Sequence, residues 1–337
     1  MDMKSLKWTM IAAVSAVSLG GCSGGYDLQE YDAVPGEGLE MVMVTKASAS
    51  GEENVIDNLN VFVFSADGFL ERFIYMTSRN LENDGDTVRT WIPCIFGSGS
   101  RIAVCANFGY RLSGINTLDE LAGYRLHLAY PDEFSRGLPS SGISASLVCE
   151  KDRKVIVPLE RMTAKIPVRI DRSLLDSDVK IRIVSARAGN APRSATVFGE
   201  SAARYAGDVF EGGYAVSGAG IDCLNRDTGL GTSGTADLYV LENLQGNLLE
   251  EDAPEKEKYP EGIDAEVCTY IELKAEYSSP DYHTPAGKYI FYRFYPGASG
   301  RSFDIRRNTV YDCTVSLSGD GLDGNLPLLD SSSLEER

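Results

Sequence analysis

Histidine is almost missing from this chain. Only His127 and His283 occur in 337 residues, in different halves and with no ligand spacing around them. A histidine triad or a zinc site needs partner side chains that this pattern does not place, so neither is legible. Arginine is absent from the first 71 residues, Arg72 being the first. There is no Cys-x-x-Cys pair, no phosphate loop, and no dinucleotide fingerprint or nucleophile elbow set between a strand and a helix. Long helical periodicity is also lacking. Positive charge is scarce: the formal net charge is −17, which repels phosphate backbones and excludes nucleic acid as a natural partner.

What remains is a β pattern. Around the midpoint, Val155, Val157 and Leu159 alternate with Lys154, Ile156 and Pro158. After a short break at Arg161-Met162-Thr163-Ala164, Ile166, Val168 and Ile170 alternate with Lys165, Pro167 and Arg169. Period-two alternation puts one set of side chains on a buried face and the other toward water. Pro158 and Pro167 lack the N–H a ladder needs, so both are expected on edge strands or strand starts. The stretch reads as a strand pair joining two sandwich-like halves. The length fits two domains, each with its own core.

Upstream, Leu39–Thr45 alternates, with Leu39, Met41 and Met43 on one face. Ile56–Phe64 carries the strongest strand signal, and Ser65-Ala66-Asp67-Gly68 turns it back into Phe69–Tyr75. Thr87–Ile95 and Arg101–Asn107 read as a hairpin around Gly97-Ser98-Gly99. Thr117-Leu118-Asp119-Glu120 fits a capping box and predicts a short helix. Pro131–Ser144 reads as loop, followed by strands at Ala145–Cys149 and Lys154–Leu159. In the second half, strands are expected at Lys165–Ile170 and Val179–Ala186, with one helical turn over Arg172–Asp176. Gly189–Gly234 is either irregular or a set of short strands. Further strands are expected from Leu238 and over Cys268–Tyr277, Lys288–Pro296 and Asn308–Leu317. The aromatic cluster Tyr289, Phe291, Tyr292, Phe294 and Tyr295 has the spacing of core and cross-strand pairs.

The first segment stands apart from the fold. Lys4 and Lys7 precede an apolar stretch, Trp8–Leu19, followed by Gly20-Gly21-Cys22. A basic start, a short apolar run and small residues make a secretory signal, too short for a comfortable membrane span. Leu19-Gly20-Gly21-Cys22 resembles the bacterial lipoprotein box. That likeness implies cleavage before Cys22 and acylation of its sulfur, and two or more acyl chains give lasting attachment to membrane lipid. The expected organisation is residues 1–21 as signal peptide, 22–38 as flexible spacer, 39–162 and 163–318 as β-sandwich domains, and 319–337 as a tail. Cys94 and Cys105 lie in neighbouring expected strands, where they are either a pair or separate small buried hydrophobes. Asp320-Gly321-Leu322-Asp323-Gly324-Asn325 has oxygen donors and glycine but lacks the donor order of an EF-hand, so it reads as an acidic turn and no metal site is assigned.

Several stretches together resemble the fimbrillin superfamily, and within it the lipoprotein anchor branch. They are Ile56–Phe64 with Asp67-Gly68; Leu159-Glu160-Arg161-Met162-Thr163-Ala164-Lys165; Tyr239–Gly246; and Tyr292–Gly297 followed by Phe303–Asn308 and Tyr311. The resemblance implies an all-β chain of two tandem transthyretin-like, Greek-key sandwiches and a non-catalytic role without cofactors. It further implies a place in surface fimbriae at the outer membrane, with shaft subunits as partners. In that family an N-terminal strand is cut away after an arginine, and the groove left behind takes a neighbour's C-terminal strand. Here no arginine precedes Arg72, and Lys46 is the sole basic residue between Cys22 and Arg72. The expectation is therefore that Cys22 and the first strand, with Leu39, Met41 and Met43, are retained and the subunit anchors the filament. The tail, with Leu322, Leu326, Leu328 and Leu329, is either a donor strand interrupted by Pro327 or an acidic appendage. Two other readings stay open: a tip or adhesin subunit binding host protein or glycan, and a glycan-binding surface lipoprotein.

Overall fold

The computed structural model describes residues 32–45, 51–85, 87–93, 99–134, 136–144, 154–254, 257–280, 288–322 and 328–330. The signal segment, Cys22, the expected strand at Ala145–Cys149, His283 and Leu326 lie outside them. So do Cys94 and most of the acidic turn after Leu322. Within them the chain is all-β: short strands carry the architecture, and the longest α-helix has eight residues. No helix among the described residues is long and apolar enough to cross a membrane.

The first half contains β1 (Leu39–Val44), β2 (Asn58–Phe64), β3 (Leu70–Thr77), β4 (Glu82–Asp84), β5 (Thr87–Ile92), β6 (Arg101–Ala106), α1 (Leu118–Gly123), β7 (Arg125–His127), β8 (Ser140–Ile143), β9 (Lys154–Pro158) and β10 (Glu160–Arg161). One sheet has the order β4-β5-β1-β9 and the other β10-β8-β6-β2-β3. Leu39, Met41, Met43, Val88, Ile92, Val155 and Val157 from the first sheet meet Leu59, Val61, Val63, Ile74, Ile102 and Val104 from the second. Burying each such side chain contributes about 1.5–3 kcal/mol, so the paired faces hold the sandwich together. Strand β2 is buried on both faces, because Phe62 and Phe64 turn away from this core into a second cluster with Phe108, Leu112, Leu121 and Leu126. Asn60 shares that outward face, and its amide is satisfied by the carbonyl of Tyr110 and the N–H of Leu112.

The second half contains β11 (Thr163–Leu175), β12 (Lys180–Gly189), β13 (Ala191–Pro192), β14 (Ser194–Thr196), β15 (Val209–Phe210), β16 (Tyr214–Ala215), α2 (Gly218–Asn225), β17 (Ala236–Leu241), α3 (Asp264–Val267), β18 (Tyr270–Ser278), β19 (Lys288–Phe294), β20 (Cys313–Gly319) and β21 (Leu328–Asp330). Sheets β17-β11-β20 and β16-β12-β18-β19-β21 face each other. Ile166, Val168, Ile170, Leu238, Val315 and Leu317 pack against Ile181, Ile183, Ile271, Leu273, Tyr292 and Phe294. The two halves interlock, since β7 pairs with β14 in the register His127↔Ser194, Leu126↔Ala195, Arg125↔Thr196.

Several sequence expectations are corrected, among them the loop over Pro131–Ser144, which holds β8 at Ser140–Ile143. Strands β5 and β6 exist, but they do not form a hairpin. Val88 and Ile92 of β5 meet Ile102 and Val104 of β6 across the core, from opposite sheets. Likewise β9 and β11 are not partners, because β9 lies beside β1 and β11 lies between β17 and β20. Arg172–Asp176 is no helical turn; β11 runs on through Leu175 after an irregularity between Asp171 and Leu174.

Pro158 is on the edge strand β9, as its missing N–H requires. Pro167 breaks the expectation, for β11 is central. The N–H two residues earlier, on Lys165, donates to the Thr309 carbonyl on the β20 side, and Pro167 faces the same way. The register toward β20 is the same on either side, Lys165↔Val310 and Val168↔Cys313, so a ladder donor is missing at Pro167, and the Tyr311 carbonyl accepts from Cys313 Sγ at 3.4 Å. The capping box at Thr117 is present as read, with Glu120 N–H donating to Thr117 Oγ1 at 3.1 Å. Tyr292 and Phe294 are core residues and Tyr295 packs with Tyr270 and Phe303. Tyr289 and Phe291 lie on the other face beneath Lys274.

Candidate assembly strand and the junction between the halves

Strand β1 fills the middle of its sheet. It runs antiparallel to β5, from Leu39↔Ile92 to Val44↔Thr87, and parallel to β9, from Glu40↔Lys154 to Val44↔Pro158. Leu39, Met41 and Met43 have no accessible surface, while Glu40 and Val44 look outward and Glu40 meets Lys154 at 3.6 Å. The sequence alternation thus places the three apolar residues in the core. Taking β1 out would expose the facing backbone of β5 and β9 and open three side-chain pockets, the geometry that β-augmentation requires.

At the other end of the chain, Leu322 packs against the second core, Tyr277 Oη donates to the carbonyl of Asp320, and Tyr292 Oη donates to that of Gly321. Leu328 and Leu329 lie in β21, which pairs with β19 of the same chain at Tyr292↔Leu328 and Phe291↔Leu329. The structure therefore brings Leu39, Met41 and Met43 together, and it keeps Leu328 and Leu329 in a different sheet of the other half.

The junction carries polar residues that sequence reading did not single out. Arg307 donates to Glu242 through Nε at 3.1 Å and Nη2 at 2.8 Å. It also donates to the carbonyls of Val197, Thr196 and Gly199. Both side chains are nearly buried, and such a fork resists replacement because Arg presents its donors in one plane. A second cluster joins Lys165, 2.6 Å from Glu53 and 2.7 Å from Asp237, to Tyr239, whose hydroxyl donates to Glu53 at 2.8 Å. Burial works against the Glu53 charge, but hydrogen bonds from Lys165 and Tyr239 outweigh it and hold the carboxyl below its ordinary range. The Lys165 ammonium is likewise penalised by burial, yet Asp237 and Glu53 hold its pKa above the usual lysine value. Lys165, Tyr239, Glu242 and Arg307 all fall within the motif stretches, which is the one signal that marked them.

Of the candidate chemistry, His127 is exposed on β7. No group of three His, Cys, Asp or Glu that could hold a metal occurs among the described residues. Cys105 and Cys268 are free and buried, and Cys223 is free and half-buried. Burial raises the thiols of Cys105 and Cys268, the latter to about 12, so neither is a nucleophile at neutral pH.

These are the features of an all-β chain whose strands pair into facing sheets. A family model described as "Major fimbrial subunit protein (FimA)" matches residues 41–155, and one described as "Domain of unknown function (DUF4906)" matches residues 238–315. No curated protein matches the chain. Among solved structures, the chain is similar to a fimbrilin (FimA) from Porphyromonas gingivalis W83 at 16% identity and TM-score 0.51, covering 87% of this chain and 96% of that one. It is similar to a candidate cell adhesion protein from Bacteroides eggerthii at 19% identity and TM-score 0.51, covering 90% and 95%. Another, from Parabacteroides distasonis, has 17% identity and TM-score 0.53, covering 87% and 96%. The first half of the chain thus matches a fimbrial-subunit family model, and the chain shares its all-β fold with the fimbrilin structure.

Proposed function

We propose that the chain is a non-catalytic structural subunit of cell-surface fimbriae. In this reading it is tethered to outer-membrane lipid through acylated Cys22 and ends the filament at its base. The observation that carries the reading is the place of β1. It lies between β5 and β9 with Leu39, Met41 and Met43 fully buried, in a chain with no arginine before Arg72. A protease specific for arginine has nowhere to release lipid and strand together. Cutting at Arg72, inside β3, would destroy the β2–β3 pair. The subunit then keeps its own strand and accepts none at this position. It joins the shaft by strand complementation through its C-terminal segment, with Leu322, Leu326, Leu328 and Leu329 as the donor residues, once β21 leaves its own β19.

The measurement is the mass of the mature N-terminus in surface-extracted protein. An acylated Cys22 supports the anchor, and an N-terminus beyond Thr45 overturns it. Deleting the gene should lengthen and shed the fibres. A second reading, an adhesive tip subunit, draws on the candidate cell adhesion proteins that share the fold. Unchanged fibres with lost adhesion to host protein or glycan would select it.

A further inference from the structure

Where the halves meet, a cleft of about 630 Å³ opens between segments of both. Asp132 and Phe134 reach it from the loop after β7, Tyr214 from β16, Asp237 and Tyr239 from β17, and Glu53 from the single helical turn Gly51–Asn54. Three carboxylates and three aromatic rings thus share one concave surface, within the size range of ligand sites.

One cation is already seated there. Lys165 Nζ touches Glu53 and Asp237 and lies 5.9 Å from the centre of the Tyr239 ring. Asp132 and the Tyr214 ring continue the same kind of surroundings a few residues further along the cleft. Asp132 makes no ion pair among the described residues, Asp237 meets Lys165 through Oδ2 alone, and the Tyr214 ring stands near both. Burial raises the Tyr214 hydroxyl, and the fields of Asp132 and Asp237 raise it further, which places both carboxylates within reach of that ring.

Behind Glu53 and Tyr239 the cleft narrows to a chamber of about 20 Å³, bordered by Arg161, Thr163 and Lys165. That is room for one water. Thr163, 2% exposed, borders it with a hydroxyl that has no hydrogen-bond partner in the protein. A buried hydroxyl requires a partner, and the chamber has the room for a water to serve as one.

We propose that this cleft docks the guanidinium or ammonium end of a basic side chain carried by a partner polypeptide, held by Asp132, Asp237 and the Tyr214 ring. Anionic ligands meet three carboxylates against the Lys165 ammonium and the Arg161 guanidinium near Glu53, a surplus of one negative charge centred on Asp132 and Asp237. A neutral sugar would leave the surplus charge unanswered, whereas a cation answers it and also gains from the ring faces. The inference holds whether or not β1 is retained, because none of these residues belongs to that strand.

The probe is Nα-acetyl-arginine methylamide, titrated into the full chain in detergent at low and high salt and followed by saturation-transfer NMR. Saturable binding that weakens with salt is expected. Asp132→Asn should weaken it about threefold to tenfold, with an unchanged melting profile, while Glu251→Gln on a distant exposed loop leaves it as it was. Ala215→Arg, which places a cation in the cleft, should abolish it. An equal loss in Glu251→Gln, no loss in Asp132→Asn, or tighter binding of methyl α-glucopyranoside at the same residues would overturn the proposal.

Discussion

The first half should come apart when β1 is removed, and a short peptide should restore it. Leu39, Met41 and Met43 are wholly buried, so their loss removes about 1.5–3 kcal/mol each, roughly 5–9 kcal/mol together. The ladders to β5 and β9 add about 1 kcal/mol net for each hydrogen bond. Against a typical total stability of about 5–15 kcal/mol, this loss is decisive. A chain lacking residues 1–45 should therefore show no cooperative melting of the first half. Trp91 of β5, opposite Glu40, reports the event by fluorescence, since the other tryptophan, Trp8, has been removed. Adding the peptide Leu-Glu-Met-Val-Met-Val should restore the transition in a concentration-dependent way, by about 2.7 kcal/mol at a hundredfold excess over its Kd. A peptide with Ser at positions 39, 41 and 43 keeps the backbone but empties the pockets, and should fail. Equal melting of the truncated and full chains, or equal rescue by the Ser peptide, would refute the argument.

Two further outcomes follow from the junction and the cores. Arg307→Met should cost about 3–5 kcal/mol in denaturant unfolding, because it leaves Glu242 charged and buried without its guanidinium and takes one donor from each of three carbonyls, and Arg307→Lys should recover only part of this. Cys105 and Cys268 should resist alkylation at pH 8 until the chain unfolds. Their folded pKa values are raised, so the stability they contribute is intact below the ordinary thiol value of about 8.5 and falls as pH climbs from there toward 12. Melting temperatures measured across that range check the slope.

Sequence carried the strands whose buried face is written in their own alternation. Strand β1, the β2–β3 hairpin and the capped helix α1 all lie within a residue or two of where pattern and turn chemistry put them. Pairing was harder to read, since alternation says that a strand has two faces and not which strand lies beside it. The β5–β6 hairpin failed for that reason, as both strands face one core from opposite sheets. The glycine-rich stretch after residue 189 resisted reading because its strands are two or three residues long and exist through distant partners, β14 through β7 in the other half. Neither Arg307 nor Lys165 could be assigned a role for a related cause. Glu242 lies 65 positions from Arg307 and Glu53 112 from Lys165, and only the fold brings them within 3 Å.

The neighbours of β1 also decide how the strand would bear load under the proposed tether at Cys22. Both flank the strand along nearly its whole length, one antiparallel and one parallel. Tension entering ahead of Leu39 therefore runs along the strand axis and strains every rung of both ladders at once. A strand loaded in this way slides or holds as a unit, whereas one peeled from its end would open rung by rung.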